Sequence, residues 1–427
     1  MRAPQARDAG FGVPDWPSGL RFVIRAPRPA AGRRAAVGSG VRDDLLRWFD
    51  AAARPLPWRS AHADGPVGRA LARDRTYVIW VVETLSQQTR IATVAARLPG
   101  FLARFPDLAT LACADLDEVL AAWSGLGYYR RARALHAAAR RVAHDLGGRW
   151  PSTVREWRRL PGVGPYTAAA VAAQALGLPT IALDGNVRRV GARMLGVASV
   201  GDATLRAALE AALLGDAGNG GADAGNGGAD AGNGGADAEH GGTGARGPDG
   251  RGGRVAEALV ELGAILCTPR SPDCGRCPLR PGCAAAASGR PDRFPVAKAR
   301  RPPATRELHA WVVLRADAVQ GHLVALERRP DTGLWAGLWG PPWRDEAPAT
   351  GASRAAAFRH ALTHRRIEAV VWLADDPPVD ARVRWTALGA GATVGMAEID
   401  RKALAHVVAA LERRPGLAPP APRPAVG

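Results

Sequence analysis

Two carboxylates, Glu83 and Asp184, have sequence surroundings that predict opposite charge states. Glu83 lies in the middle of the largely apolar segment 77–94, for which we predict one buried helix. Burial penalises the charged form, so the pKa of Glu83 should be raised and the group should be protonated near neutrality. Asp184 stands at a predicted helix N-cap, where backbone donors and the helix dipole keep a carboxylate ionised. Such a pair is suited to cleaving a glycosidic bond.

Both carboxylates also have purely structural interpretations. A nearby arginine such as Arg59 could neutralise Glu83, and Asp184 could simply cap its helix. Capping and chemistry do not exclude each other, because a capping carboxylate keeps its charge.

Four of the five cysteines fall within 17 residues and have the spacing C-x6-C-x2-C-x5-C. They are Cys267, Cys274, Cys277 and Cys283. A zinc site usually shows two close pairs, so four thiolates around an iron–sulfur cluster are the better interpretation. Arg270, Arg276 and Arg280 lie between the cysteines and could face a phosphate backbone. Cys113 stands apart, and we expect it to be a small buried residue.

The segment 160–171 (LPGVGPYTAAAV) predicts a tight hairpin that opens a helix. In such a turn the backbone N–H groups of Gly162, Val163 and Gly164 and the positive end of the helix can hold a phosphate. An ordinary connection between two helices is the alternative.

Two further segments have residues suited to entering a duplex. Gln87 and Gln88 should lie near the DNA-facing end of the helix that carries Glu83, where their amides could wedge between bases. The segment 123–133 combines glycines, tyrosines and arginines, which suit intrusion and phosphate binding. It could equally be a helix start with a solvated basic face.

Length and composition limit the class of protein. A chain of 427 residues should hold two or three domains, and a net charge of +17 indicates a polyanionic partner. Lys298 and Lys402 are the only lysines, so the arginine excess also reflects a compositional bias. No apolar run reaches the roughly 20 residues needed to span a bilayer, and no signal peptide is evident. We expect a soluble, cytoplasmic, nucleoid-associated protein without a membrane partner.

Composition also predicts the domain boundaries. We expect a disordered basic tail over 1–40, a helical region over 41–290, a linker over 291–306, a second domain over 307–412 and a tail over 413–427. The helical region should contain a flexible insertion over 215–253, because residues 216–238 repeat a Gly-rich heptad that cannot bury apolar area.

The second domain begins with predicted strands over 308–314 and 322–326, followed by a helix around 351–361 and a strand over 367–372. A Nudix hydrolase would need a Glu-rich helix for magnesium, and the segment that follows Gly340 offers only Asp345 and Glu346. Pyrophosphate hydrolysis is therefore not expected.

Over about 41–410 these motifs resemble the adenine DNA glycosylases of the MutY type. Members of that family are helix-hairpin-helix enzymes that remove adenine mispaired with 8-oxoguanine. The resemblance implies a mainly α catalytic part, a six-helix domain plus an iron–sulfur cluster domain, followed by an α+β Nudix-like domain. It also implies one 4Fe-4S cluster on the four cysteines, a duplex partner with an A:8-oxoguanine or A:G mispair, and a monomer.

The resemblance also implies a role for each matching residue. Glu83 would protonate the flipped adenine and Asp184 would stabilise the sugar cation or bond to it, with Tyr166 and Asn186 supporting them. The residues around the base would be Arg54, Trp58, Arg59, Ser86 and Glu257. Gln88 and Tyr128 would intrude beside 8-oxoguanine, and Thr363 with His364 would read it from the second domain.

Two positions depart from the family pattern, and two other functions stay open. The family often has a large apolar residue where this chain has Ser86, and often Phe-Ser-His where it has Leu362-Thr363-His364. A bifunctional glycosylase and lyase resembling endonuclease III would need a Schiff-base lysine at the position of Tyr166, and no lysine precedes Lys298. A non-catalytic, redox-sensing DNA-binding module would not need the two carboxylates.

Overall fold

The computed structural model describes residues 39–59, 64–215, 251–296, 303–317, 319, 321–362, 365–388 and 394–413. Residues 37–427 group as one compact unit apart from 1–36, and every residue described below belongs to it. Within the described ranges, no helix is long and apolar enough to cross a membrane. Most of the predicted tail 1–40 and the repeat 216–238 lie outside these ranges.

The first part of the chain is helical. Its helices are α1 (Ser39–Ala52), α2 (Gly65–Arg73), α3 (Arg75–Ser86), α4 (Ile91–Arg104), α5 (Leu108–Cys113), α6 (Leu116–Ala122), α7 (Arg130–Arg140), α8 (Val154–Trp157), α9 (Pro165–Gln174), α10 (Gly185–Leu195), α11 (Asp202–Leu214), α12 (Arg251–Ile265) and α13 (Ala284–Ala287). A π-helical turn, Arg141–Asp145, extends α7. The first residues of α1 and α12 fall inside the predicted tail 1–40 and the predicted insertion 215–253.

Two apolar clusters hold these helices together. The first surrounds α3, in which every residue from 77 to 85 is buried, and includes the indoles of Trp80, Trp123 and Trp157. The second joins α1, α10, α11 and α12 through side chains such as Leu45 and Leu262. The buried α3 is the reason that a carboxylate at position 83 ends in the protein interior.

Glycines let α12 approach both neighbouring helices closely. A Cβ atom at Gly253 would lie 2.4 Å from the Ala173 carbonyl oxygen in α9. A Cβ atom at Gly263 would lie 2.5 Å from Cβ of Asn186 in α10. Any larger residue at these positions would push the helices apart.

The single helix predicted over 77–94 is wrong, because the chain breaks between α3 and α4. Gln88 has a left-handed backbone with φ of 57°. The buried Arg131 donates to the carbonyls of Thr84 and Leu85, both at 2.9 Å, in place of a further helical turn. It also donates to the Thr89 hydroxyl and to two carbonyls of the loop before α7. Arg131 thereby ties the end of α3 to that loop.

The second part is built around a seven-stranded sheet. Its strands are β1 (Ala304–Asp317), β2 (Gly321–Arg328), β3 (Trp339–Gly340), β4 (Trp343–Arg344), β5 (Ala352–Ala361), β6 (Arg365–Ala374) and β7 (Val383–Ala387). The order is β3-β2-β1-β6-β5, with β4 pairing to β1 and β7 to β2. Among the strand pairs of the described residues, β1 with β6 is the one parallel pair. The final helix, α14 (Glu398–Arg413), packs against β1, β5 and β6.

The predicted order of a mainly α part followed by an α+β part is confirmed, as are the strands over 308–314, 322–326 and 367–372. The helix predicted around 351–361 is wrong, since this segment forms β5. Its alanines favour a helix, but pairing with β6 outweighs that local preference. Strand β1 begins at Ala304, which lies inside the predicted linker 291–306.

The two parts share apolar and polar contacts. Leu308 and Ile367 of the sheet belong to the same buried cluster as α3. The Tyr129 hydroxyl donates to the Met396 carbonyl at 2.7 Å. Arg133 in α7 donates to the Ala336 carbonyl at 2.8 Å and pairs with Asp331 at 3.0 Å. The loop that precedes α7 is therefore attached to the second part.

Replacing Arg131 with Met should lower the free energy of unfolding by roughly 3 kcal/mol, because several buried carbonyls lose their donor. The measurement is chemical unfolding followed by circular dichroism. Arg140→Met removes an exposed charge from the same helix, and it should change the value by no more than about 0.5 kcal/mol. Equal losses in the two variants would contradict the bridging role of Arg131.

Candidate active site and nucleic-acid interface

Glu83 is buried in α3 and its two oxygens have different surroundings. Glu83 is only 7% exposed to solvent. Its Oε1 accepts a hydrogen bond from Nε2 of Gln174 at 2.7 Å. Its Oε2 is buried and accepts no hydrogen bond from any described residue. The Tyr166 hydroxyl is near enough to affect the pKa of Glu83, although its geometry falls short of a hydrogen bond to Oε2.

Burial raises the pKa of Glu83 to about 7. The Gln174 amide and the Tyr166 hydroxyl act in the opposite direction, while the neighbouring carboxylates of Glu257 and Asp184 raise the pKa further. The predicted upward shift is confirmed. The alternative of neutralisation by Arg59 is not supported, because Arg59 instead pairs with Glu257 and Glu261.

Asp184 caps α10, as predicted. Its Oδ1 accepts from the Val187 backbone N–H at 2.7 Å, and its Oδ2 accepts from the Asn186 amide at 2.9 Å. The Asn186 oxygen in turn accepts from Arg189 at 2.9 Å. Asp184 is half-buried, at a helix end where the dipole favours a negative charge. The acid and the carboxylate are thus held on two different helices.

The predicted hairpin precedes α9, with Pro165 at the first helical position. Gly162 has φ of 70°, and a Cβ atom there would lie 2.4 Å from Cβ of Ala134. The hairpin lines a cleft with Gln87, Arg130 and Arg158. Backbone N–H groups at a helix start together with guanidinium groups suit a phosphate.

Gln88 and Tyr128, the two residues predicted to intrude, share a strained backbone. Their φ values are 57° and 47°, in the left-handed region that side chains disfavour. Gln88 is exposed and Tyr128 is half-buried. Gln87 differs, since its amide donates to the Thr167 hydroxyl at 3.1 Å and so faces α9 rather than solvent. Arg131 links the two segments, because it donates to the hydroxyl of Thr89, the residue after Gln88, and lies 5.7 Å from the centre of the Tyr128 ring.

Two of the residues predicted around the base, Arg54 and Arg59, bind glutamates of α12, the helix that also carries Glu257. Arg54 donates to both oxygens of Glu261, to Oε1 at 2.5 Å and to Oε2 at 2.9 Å. Arg59 bridges Glu257 and Glu261, at 3.1 Å to each. Trp58 is buried beside them, and Ser86 is half-buried at the end of α3.

Glu261 is fully buried and was missed by the sequence analysis. Burial acts to raise its pKa, but the hydrogen bonds from Arg54 and the charge of Arg59 outweigh this and lower it. In contrast, burial raises the pKa of Glu257 despite Arg59. The available signal was the spacing of Glu257 and Glu261, which lie four residues apart in the otherwise apolar segment 255–266 and therefore share one face of a helix. Gln174 gave no such signal, because a polar residue ending an Ala-rich helix is usually solvated.

The four clustered cysteines line one cavity, together with Arg193 and Leu279. The buried Arg193 donates to the Cys267 sulfur at 3.3 Å and to the Thr268 and Pro269 carbonyls. Among the described residues, no three His, Cys, Asp or Glu side chains converge as they would on a single metal ion. Thiols distributed around a shared cavity suit a polynuclear cluster better than one ion.

Other predicted residues are placed as follows. Arg270, Arg276 and Arg280 are exposed on the cysteine loop. The expectation that Cys113 is buried is wrong, because α5 buries Leu111 and Ala112 and leaves its last residue exposed. Thr363 and His364 lie outside the described residues, between the end of β5 and the start of β6.

Comparison with known proteins gives two domain families. Residues 81–212 match the HhH-GPD superfamily of base excision DNA repair proteins, and residues 310–406 match the NUDIX domain. The chain is 34% identical to the adenine DNA glycosylase of Mus musculus over 70% of this chain and 60% of that protein. For the Homo sapiens protein of the same name these values are 33%, 72% and 58%. The chain thus spans about three fifths of these relatives.

A bacterial relative and a solved structure extend the comparison. The adenine DNA glycosylase of Mycolicibacterium smegmatis is 34% identical over 55% of this chain and 66% of its own. A thermostable thymine-DNA glycosylase of known structure aligns with 58% of this chain and 95% of its own, at 24% identity and a TM-score of 0.44. That structural likeness is too low to bear on function.

Replacing Gly162 with Ala should destabilise the protein by about 1–3 kcal/mol, because the residue needs a left-handed backbone and its Cβ would meet Ala134. Gly164→Ala is the matched control, since nothing lies within 4 Å of a Cβ there and its φ is −82°. Unfolding midpoints of both variants measure the difference. A control as unstable as Gly162→Ala would show that the hairpin does not depend on this backbone conformation.

Proposed function

We propose that this chain, whose residues 81–212 match the HhH-GPD superfamily of base excision DNA repair proteins and which is similar to adenine DNA glycosylases, removes adenine from duplex DNA. The target is adenine mispaired with 8-oxoguanine or guanine. The observation that carries the proposal is the buried carboxyl group of Glu83, with a pKa of about 7, beside the capping carboxylate of Asp184. One group can supply a proton and the other a negative charge.

Excision breaks the bond between N9 of adenine and C1′ of its sugar. Glu83 donates the proton on Oε2 to a ring nitrogen of the flipped-out base, so adenine leaves as a neutral molecule with the bonding electrons. The Asp184 carboxylate stabilises the cationic sugar or bonds to C1′ transiently. Water then adds to C1′ and loses a proton to solvent, which leaves an abasic site. Tyr166 and Asn186 support the two carboxylates.

The proposed base pocket contains two arginines that glutamates of α12 hold in place. Its members are Arg54, Trp58, Arg59, Ser86 and Glu257. Two guanidinium groups in one pocket would repel an incoming protonated base, and the buried, ionised Glu261 offsets that charge. The Trp58 indole offers an apolar face against which the flipped base can pack. The negative charge of Glu261 explains why two arginines can line a site in which a cation develops.

The four cysteines, Cys267, Cys274, Cys277 and Cys283, hold one 4Fe-4S cluster. Their shared cavity fits such a group, and the Arg193 guanidinium beside Cys267 would offset the negative charge of bound thiolates. When bound, the cluster supplies a rigid crosslink of the loop. The protein contributes the exposed arginines 270, 276 and 280 on that loop, which are positioned to hold a phosphate backbone.

Recognition of the mispair involves both parts of the chain. The hairpin residues Gly162, Val163 and Gly164 hold a phosphate, while Gln88 and Tyr128 enter the stack beside the opposite base. The hydrogen bond from Gln87 to the Thr167 hydroxyl supports the segment that carries Gln88. Gln87 itself would enter the duplex only if DNA binding broke this hydrogen bond. Thr363 and His364 read the opposite base, because the adenine itself carries no sign of damage. The protein acts as a monomer in the nucleoid.

Cleavage of the abasic strand by a lyase step is not part of the proposal. The hairpin helix has Tyr166 where a Schiff-base lysine would stand, and no lysine precedes Lys298. A purely redox-sensing role is also disfavoured, because a sensor has no need to keep a buried carboxyl group protonated beside a second carboxylate.

Glu83→Gln should bind an A:8-oxoguanine duplex as tightly as wild type but lose roughly 10²-fold to 10⁴-fold in the single-turnover rate of adenine release, because the amide cannot give up a proton. Adenine release is followed by chromatography and affinity by fluorescence anisotropy. Glu118→Gln, which alters an exposed glutamate, is the control and should keep the wild-type rate. Similar rates in the two variants would remove Glu83 from the reaction.

Borohydride reduction during turnover should trap no covalent complex between the protein and DNA, because the mechanism forms no imine. The product strand should stay intact until it is treated with alkali. Gel electrophoresis with endonuclease III as a positive control distinguishes the outcomes. A trapped adduct would favour the bifunctional alternative.

A further inference from the structure

Gln174 contacts Glu83 and has no role in the function proposed above. It is the last residue of α9 and is half-buried. Its Nε2 lies 2.7 Å from Glu83 Oε1, the shortest distance compatible with an ordinary N–H to oxygen hydrogen bond. All the residues of α9 from Thr167 to Ala173 are buried, so the helix that carries Gln174 is firmly packed.

The packing of α12 holds the end of α9 in place. A Cβ atom at Gly253 would lie 3.1 Å from Cα of Gln174, which shows how closely the two helices meet. Because α12 packs closely against the backbone at Gln174, the Gln174 side chain is held at one position relative to Glu83. The hydrogen bond from Gln174 to Glu83 joins α9 to α3, so a shift of either helix would break it.

The hydrogen bond decides which oxygen of Glu83 can carry the proton. A hydroxyl oxygen is a poorer acceptor than a carbonyl oxygen, so the amide N–H at Oε1 favours the form of the neutral carboxyl group in which Oε1 is unprotonated. The proton is left on Oε2. That oxygen is buried and makes no hydrogen bond to a described residue, although the Tyr166 hydroxyl interacts with the same carboxyl group.

We propose that Gln174 is a positioning residue that confines the proton of Glu83 to Oε2 and so directs it at the leaving base. The inference rests on the proposed glycosylase function and adds a residue to it. Without the amide, the proton would occupy either oxygen, and the carboxyl group would lose the contact that fixes its orientation.

Gln174 also affects the charge state of Glu83, which makes its role measurable. A donor to Oε1 stabilises the ionised form, so it acts against burial and lowers the pKa of Glu83. The other groups that face Glu83 are Tyr166 on α9, Asp184 at the start of α10 and Glu257 on α12. Neither carboxylate would compensate for a lost donor, since both raise the pKa of Glu83. Removing the amide should therefore extend activity to higher pH.

The test is the pH dependence of single-turnover adenine release by wild type and Gln174→Leu, with Gln174→Met as a second variant of closer shape. We expect the plateau rate to fall about 3-fold to 10-fold, the effect of one hydrogen bond. We also expect the midpoint of the alkaline limb to rise by about 0.5 to 1 pH unit. A residue that merely supports the fold would lower the rate without moving this midpoint.

Two controls separate positioning from folding. The thermal unfolding midpoints and the duplex affinities of the variants should match wild type. Adding Gln174→Leu to Glu83→Gln should cost nothing further, because the amide acts only through the Glu83 proton. An additive loss in the double variant would overturn the inference.

Three further outcomes decide the matter. An unchanged midpoint in both variants would show that Gln174 does not act on Glu83. A midpoint that falls would mean that the amide oxygen accepts the Glu83 proton, which also contradicts the proposal. If wild type itself releases no adenine, the proposed function fails and this inference fails with it, whereas an active wild type with unaltered variants overturns the inference alone.

Discussion

The cost of ionising a carboxyl group in the protein interior is the constraint on which this site depends. Glu83 cannot avoid burial, because every residue from 77 to 85 of its helix is buried. Its neighbours then set the balance between its two forms: Gln174 favours the ionised form, and Glu257 and Asp184 disfavour it. The resulting pKa of about 7 lies where a general acid is most effective at neutral pH.

The same interior fixes the geometry around that group. Helix α12 meets α9 at Gly253 and α10 at Gly263, so the helices that carry Gln174 and Asn186 are braced by one element. The buried Glu261 on α12 orders Arg54 and Arg59. Functional side chains on packed helices lose little entropy on binding, which favours a preorganised site. The contacts of the loop before α7 with the second part then join that loop and the sheet in one unit.

Local rules were sufficient for part of this arrangement. The cap at Asp184, the hairpin at Gly162 and the shifted pKa of Glu83 follow from residues close in sequence, and they could be predicted. The break at Gln88 depends on Arg131, 43 positions further along the chain, and the strand β5 depends on pairing with β6. Glu261 and Gln174 likewise acquire roles only from partners on other helices. No local pattern reports such contacts.

The protonation state of Glu83 is the most direct measure of this account. Carbon-13 labelling of the glutamate side-chain carboxyl carbons allows each carboxyl group to be titrated by NMR, and the Glu83→Gln variant identifies the signal. The account predicts a titration midpoint of about 7 for that signal. A midpoint near the ordinary glutamate value of about 4.3 would mean that Glu83 is ionised at neutral pH and cannot be the acid.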